Sequence, residues 1–247
     1  MHACKRDGLL LALAAAGAAL DAWSYFGLGH VFVANMTGNT VLLGFSAVVG
    51  PRRRALHAAL ALAAYVCGVL AGTVLARPVR HAQGHAENSA SAPNPSPGLT
   101  LFWPSRANSI LAIESALVSV SAVVYGLFNP MVGSILATSL IAVVAFSVGL
   151  QSAVIVAMNI PGIVTTYITG TWTTLATGLG EWMDGETRGH GQSGWENRLA
   201  LQGATLAAYL LSAALSGLIF HFLGRAWLGA SAALLLLIVN LATLRTD

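Results

Sequence analysis

Residues 31–44 read VFVANMTGNTVLLG, and residues 163–176 read IVTTYITGTWTTLA. Each is an apolar run broken by Thr-Gly, at Thr37-Gly38 in the first and Thr169-Gly170 in the second. A second echo follows each run. Arg54-Ala55-Leu56 leads to Leu62-Ala63-Ala64-Tyr65, and Arg198-Leu199-Ala200 leads to Leu206-Ala207-Ala208-Tyr209. Two copies of one apolar unit in the same order indicate a duplicated membrane protein. Transporters are often built from such repeats, which meet around a central site.

The wider composition fits that reading. Hydrophobic residues make up 56% of the chain and charged residues 9%, whereas soluble domains carry roughly 25% charged residues. The net charge of +3 comes from arginines between apolar runs, which bears on membrane orientation and gives no nucleic-acid footprint. Cys4 and Cys67 stand in a tail and within a span, an arrangement that does not favour a disulfide. There is no CxxC or His/Cys ligand cluster, so neither a metal nor another cofactor is expected. No GxSxG, HExxH, P-loop or nucleotide-binding GxGxxG stands in a suitable setting, and no enzymatic activity is expected.

A membrane-crossing helix needs about 20 mostly apolar residues. Eight runs qualify: 8–28, 31–50, 56–76, 108–128, 132–157, 161–180, 200–222 and 226–243. The expected fold is all-α, a polytopic bundle of eight spans in two tandem four-span repeats. Residues 1–76 hold spans one to three, 77–107 form a flexible polar loop, 108–128 is span four, and 129–247 is the second repeat. The 77–107 stretch contains GHAENSASAPNPSPG, without hydrophobic periodicity. Asn159-Ile160-Pro161-Gly162 is expected to end span five and open span six. Lys5-Arg6 before LLLALAAAGAAL also resembles a signal peptide. The counterpart of that run at 135–157 argues for keeping it as mature structure.

Basic residues set orientation. Eight crossings put Lys5, Arg6, Arg52, Arg53, Arg54, Arg188, Arg198 and Arg245 on the side of the termini, against Arg77, Arg80, Arg106 and Arg225. Both termini are therefore expected in the cytoplasm, with PRRR at 51–54 as the strongest single signal. Four crossings per half would give the two halves the same orientation. That inference fails if the 31–50 and 161–180 runs are re-entrant.

Ionisable groups inside a span are costly and mark function by default. Asp21 lies in the first span and Glu114 in the fourth, with no Lys or Arg in the middle of any span. Each can exchange a proton or bind a cation; the plainer alternative is a carboxyl hydrogen-bonded to a neighbouring helix. The densest intramembrane polar cluster is Asn35 to Thr40. Asn35 and Asn39 share a helix face, and Thr37 and Gly38 lie between them. Hydroxyls and small residues also serve helix packing, but a helix broken at Thr-Gly would free backbone groups for a substrate or ion. Gln151, with Ser152, stands where the repeat places the region of Asp21. Thr169 and Gly170 mirror Thr37 and Gly38. Tyr65 and Tyr209 are read as packing residues, and His57 and His221 as interfacial.

Asp21-Ala22, the F-x-x-N-M-T-G-N run at 32–39 and Tyr167-Ile168-Thr169-Gly170 together resemble the YoaK family of bacterial membrane proteins, over residues 8–243. That family is defined by a domain of unknown function. The resemblance implies a polytopic inner-membrane protein and no substrate. The working expectation is a secondary transporter, open to proton coupling, for a small solute bound between spans 1, 2, 5 and 6. The expected binding residues are Asp21, Asn35, Thr37, Gly38, Asn39, Glu114, Gln151, Thr169 and Gly170. The expected partners are the lipid bilayer and that solute, with no nucleic acid; a homo-oligomer is compatible. The competing expectation is a non-transporting scaffold or accessory subunit whose Thr-Gly runs are packing seams.

Overall fold

The computed structural model describes residues 3–76, 106–157, 168–183 and 192–244. The expected flexible loop at 77–107 falls almost wholly outside them, as does the expected boundary at Asn159 to Gly162. Among the described residues there are eight α-helices and no strands. They are α1 (Ala3–Trp23), α2 (Met36–Val48), α3 (Arg52–Ala76), α4 (Ala107–Phe128), α5 (Ile135–Ala157), α6 (Ile168–Met183), α7 (Gln192–Leu223) and α8 (Ala226–Leu244). A π-helical turn, Ser24–Gly29, continues α1.

Six of these helices are long and apolar enough to cross a bilayer: α1 with its π turn, α3, α4, α5, α7 and α8. The run expected to cross at 31–50 does not meet that length. Its helix, α2, has 13 residues, which rise about 20 Å against a hydrocarbon core of about 30 Å. Likewise α6 has 16 residues. Residues 31–35 of the first run lie outside α2, and residues 161–167 of the second lie outside the described residues.

Contacts fix the direction of each long helix. Tyr125 near the end of α4 bonds Gly27 after the end of α1, while Leu10 and Ile110 near their starts share a cluster. Phe26 stacks on Phe220 at the end of α7, and Leu201 near its start packs on the cluster of Leu10. Thus α1, α4 and α7 run the same way. Gly229 at the start of α8 faces Trp23 and Ala122, and Ser115 reaches the Leu236 carbonyl further along, so α8 runs opposite. Gly133 before α5 bonds the Leu28 carbonyl, and Leu150 and Val154 join Leu10 at the other end. Helix α3 follows α5, from His57 at Thr138 to Gly72 at Ala153. Helices α1, α3 and α4 therefore point opposite to α5, α7 and α8 respectively.

The same contacts correct the expected placement of PRRR. His57 in α3 lies against the Gly29 carbonyl, and a Cβ on Gly133 would meet the side chain of Arg53. Arg52 to Arg54 consequently sit at the bundle end where α1 finishes, opposite the N-terminus.

Helix α1 packs on α7 and α8, and α5 packs on α3 and α4. Helix α2 lies on α3, α6 on α7, and α4 on α8. The first helix of each half is thus embedded largely in the other half. This interleaving makes α1 and α5 the most buried spans, while α3 and α7 expose most of their surface. Two crossings differ in detail. A Cβ on Gly68 would collide with the Phe146 carbonyl, and one on Gly149 with the Tyr65 carbonyl, so α3 and α5 meet backbone to backbone. Between α1 and α7, the Ser212 hydroxyl instead donates to the Ala15 carbonyl at 2.6 Å.

Candidate functional site

The chain reverses direction after α1. His30 ends the π turn with φ 56°, a left-handed conformation uncommon for residues other than Gly. Residues 31–35 then run back alongside α1, bringing Ala34 next to Gly17. Backbone N–H groups in this irregular stretch need partners inside the bundle. Asp21 supplies them. Its Oδ1 accepts from Val33 N at 2.8 Å, Ala34 N at 2.7 Å and Asn35 N at 3.3 Å. Its Oδ2 accepts from the Tyr209 hydroxyl at 2.9 Å. Asp21 stands eight residues before Gly29, so the turn is held roughly 10 Å from the bundle end where α1 finishes. Helix α2 starts at that depth and leads back to α3 at the same end, so the segment 30–51 re-enters the bundle without traversing it.

Each notable residue of F-x-x-N-M-T-G-N has a place in this turn. Asn39 donates from Nδ2 to the Phe32 carbonyl at 2.6 Å and accepts Phe32 N–H at 2.9 Å. Asn35 caps α2, its Oδ1 accepting Gly38 N–H at 3.0 Å. A Cβ on Gly38 would stand 2.9 Å from the Phe32 ring. Phe32 in turn stacks on Tyr25. Asn39 is buried, whereas Asn35 and Thr37 are exposed. Thr-Gly does not break α2, which was one of the two alternatives read from sequence; Thr37 and Gly38 lie within its first turn, and the irregular stretch precedes it. Thr169 and Gly170 occupy the same second and third positions of α6.

The expected site residues therefore divide. Asp21, Asn35, Gly38 and Asn39 come together around the re-entrant turn. On α6 the hydroxyls of Thr173, Thr174 and Thr177 bond the carbonyls of Thr169, Gly170 and Thr173, which spends them on their own helix. Gln151 is fully buried on α5. Glu114 is fully buried on α4, and neither carboxyl oxygen has a hydrogen-bond partner. Counting four residues on from Ile110 and Leu10, which share a cluster, sets Glu114 at about the level of Ala14 and roughly 10 Å along the axis from Asp21. An open groove of about 640 Å³ between α4 and α8 is lined by apolar residues such as Val123 and Leu234, and by neither acid.

Two contributors were misread from sequence. Tyr209, taken as packing, closes the coordination of Asp21. His57, taken as interfacial, is buried between the Gly29 carbonyl at 3.4 Å and the Thr138 hydroxyl at 3.1 Å. A signal for Tyr209 was available. Gln202, Thr205, Tyr209, Ser212 and Ser216 recur every three or four residues, a polar stripe that an otherwise apolar helix turns inward. Among the described residues no group of three or more His, Cys, Asp or Glu could hold a metal ion.

The chain matches, over residues 9–241, the family model described as "Protein of unknown function (DUF1275)". It is 32% identical over 175 residues to the UPF0700 transmembrane protein YoaK of Bacillus subtilis (strain 168), a match spanning 70% of this chain and 67% of that protein. No solved structure matches it.

Proposed function

This chain belongs to the DUF1275 family of multi-pass membrane proteins, and from that premise we propose that it is a secondary transporter for a small solute. In this reading it is built from two inverted repeats, each with three spans and one re-entrant helix, and it is not an enzyme. The packing pairs support the repeat. Exchanging α1 with α5, α2 with α6, α3 with α7 and α4 with α8 turns every packing pair into another: α1–α7 into α5–α3, α1–α8 into α5–α4, and α2–α3 into α6–α7. The antiparallel α4–α8 pair maps onto itself, as a two-fold axis in the membrane plane requires. An odd number of crossings per half replaces the eight-span count.

The observation that carries the transport reading is the re-entrant turn. Irregular backbone within the membrane is tolerated where it lies in protein or lines a cavity, and discontinuous helices of paired repeats commonly frame a solute site. Because Asp21 and Asn39 are already occupied in holding the turn, the solute is assigned to the exposed Asn35–Thr37 end of α2 and the Thr169 end of α6. The bilayer is the medium in which α3 and α7 expose their apolar faces.

Orientation is part of the same reading. By chain order, six crossings group Lys5, Arg6, Arg77, Arg80, Arg106, Arg188, Arg198 and Arg245 against Arg52, Arg53, Arg54 and Arg225. The excess again favours termini in the cytoplasm, and thus the bacterial inner membrane, although PRRR has changed sides.

The test is reconstitution into liposomes and mass-spectrometric measurement of uptake from a broad solute pool, with Thr37→Val and Thr169→Val as variants. Uptake that either variant lowers supports the assignment. Protein that is folded yet neither moves nor binds any solute returns the chain to the scaffold reading, which the local hydrogen bonding of Asp21, Asn35 and Asn39 favours.

A further inference from the structure

Asp21 and Glu114 are the buried carboxylic acids among the described residues, and the turn around Asp21 leaves Glu114 without a task. It stands seven residues into α4, roughly 10 Å from the start of that helix. Ile110 lies one turn before it and Leu117 one turn after it. Both belong to the packing around Leu10 of α1 and Leu150 and Val154 of α5. On the next residue, Ser115 is committed to the Leu236 carbonyl of α8. Glu114 is thus flanked along α4 by residues of an apolar cluster, with both oxygens lacking a partner.

Among the described residues no ion pair or hydrogen bond partners its oxygens. Helices α5 and α8, which pack against α4, contain no Asp, Glu, Lys, Arg or His. Along α1, the nearest charged residues to Ala14 are Asp7, two turns away, and Asp21, whose oxygens are taken by Val33, Ala34, Asn35 and Tyr209. On α3, no titratable residue lies between Cys67 and Ala76, the stretch that joins this cluster; on α7, Arg198 precedes Leu201 by one turn. A bare carboxylate in such surroundings would cost several kcal/mol, and removing it would cost the protein nothing that the contacts reveal.

We propose that Glu114 is a reversible proton-binding site in the membrane interior. One proton from water adds to a carboxylate oxygen on loading and returns to water on release, with no other bond made or broken. The choice of a proton over a metal cation follows from the ligands. A Ca²⁺-like ion takes six or more oxygens, carboxylates prominent among them, and among the described residues Glu114 belongs to no group of three or more His, Cys, Asp or Glu. Resting on the transporter reading, this site becomes its coupling group: α4 packs on α5 and α8, so opening this seam to water and closing it again would load and discharge the acid.

The experiment is infrared difference spectroscopy on the full chain in lipid, wild type against Glu114→Gln, across a pH titration and in D₂O. The expected result is a protonated-carboxyl C=O stretch present at neutral pH, absent in the variant, shifted by D₂O and lost as pH rises. Two results would overturn the proposal. One is a protonated-carboxyl region unchanged in Glu114→Gln, meaning that the acid is ionised. The other is a band that neither titrates nor exchanges while the protein stays folded, meaning that the acid is a sealed structural element. Retention of the band in Asp21→Asn assigns it to Glu114. In liposomes, Glu114→Gln should lose uptake driven by a pH gradient while keeping solute counterflow. A titrating band in a wild type that moves no solute would support the proton site and sink the transporter reading.

Discussion

The Tyr209 hydroxyl donates to Asp21 Oδ2 at 2.9 Å, joining residues 188 positions apart. The other oxygen of the same carboxyl holds the re-entrant backbone at residues 33–35. One side chain therefore ties α1, the turn before α2, and α7, and the two of these helices that cross belong to different halves of the chain.

That relationship orders two variants. Tyr209→Phe removes one hydrogen bond, worth about 1 kcal/mol inside a membrane protein. Asp21→Ala leaves three backbone N–H groups without an acceptor, at roughly 1–3 kcal/mol each. Asp21→Ala should therefore destabilise by at least about 3 kcal/mol and Tyr209→Phe by about a third of that or less. Unfolding in mixed detergent micelles measures both. Equal costs would mean that Asp21 is not what holds the turn.

Gly38 tests the turn from its other side. An added Cβ would press on the Phe32 ring, which Asn39 fixes through its backbone. Gly38→Ala should cost about 1–3 kcal/mol through overpacking, and Phe32→Leu should recover part of it. Gly44, later on the same helix, has nothing within 4 Å of a built Cβ, and Gly44→Ala should be neutral or slightly stabilising. A comparable loss at both glycines would point to helix flexibility rather than the Phe32 contact.

The two close helix crossings should also respond differently. At α3–α5 an added methyl meets backbone, which cannot rotate away, so Gly68→Ala and Gly149→Ala should each destabilise by more than about 3 kcal/mol. At α1–α7 the equivalent contact is the Ser212 hydroxyl on the Ala15 carbonyl. Ser212→Ala should cost about 1 kcal/mol. Thermal unfolding of the four proteins in one detergent ranks them, and a Gly68→Ala variant as stable as Ser212→Ala would contradict the backbone contact.

The proposed doubling rests, at the level of sequence, on Thr-Gly and the Leu-Ala-Ala-Tyr echo, which stand in both halves. All eight helices coincide with apolar runs for one reason: bilayer and bundle interior both select apolar residues. What the pattern could not separate was a 20-residue span from a turn followed by a 13-residue helix. Residues 31–50 are apolar in either case, since the turn is buried against α1. Asn35 and Asn39 were legible only in part. Type and spacing marked them as polar groups in an apolar setting, but both bond within eight residues in the chain, a local fold that helical spacing does not anticipate. Glu114 was visible from sequence, whereas the emptiness of its surroundings depends on α5 and α8, which only packing brings to it.

Span number remains the expectation with the widest consequences, and four cysteines decide it. In a background with Cys4 and Cys67 replaced by Ser, single cysteines at Arg52, Arg106, Arg198 and Arg225 report sidedness to a membrane-impermeant thiol reagent. Eight crossings pair Arg52 with Arg198 and Arg106 with Arg225. Six crossings with re-entrant α2 and α6 pair Arg52 with Arg225 and Arg106 with Arg198. The second pairing is expected, because His57 near the start of α3 contacts Gly29 after α1, and Gly133 beside Arg53 bonds Leu28 at the same end. Labelling from outside intact cells and then after permeabilisation assigns each position. The first pairing would restore α2 as a crossing, and with it two halves of equal orientation, for which the antiparallel α4–α8 pair has no explanation.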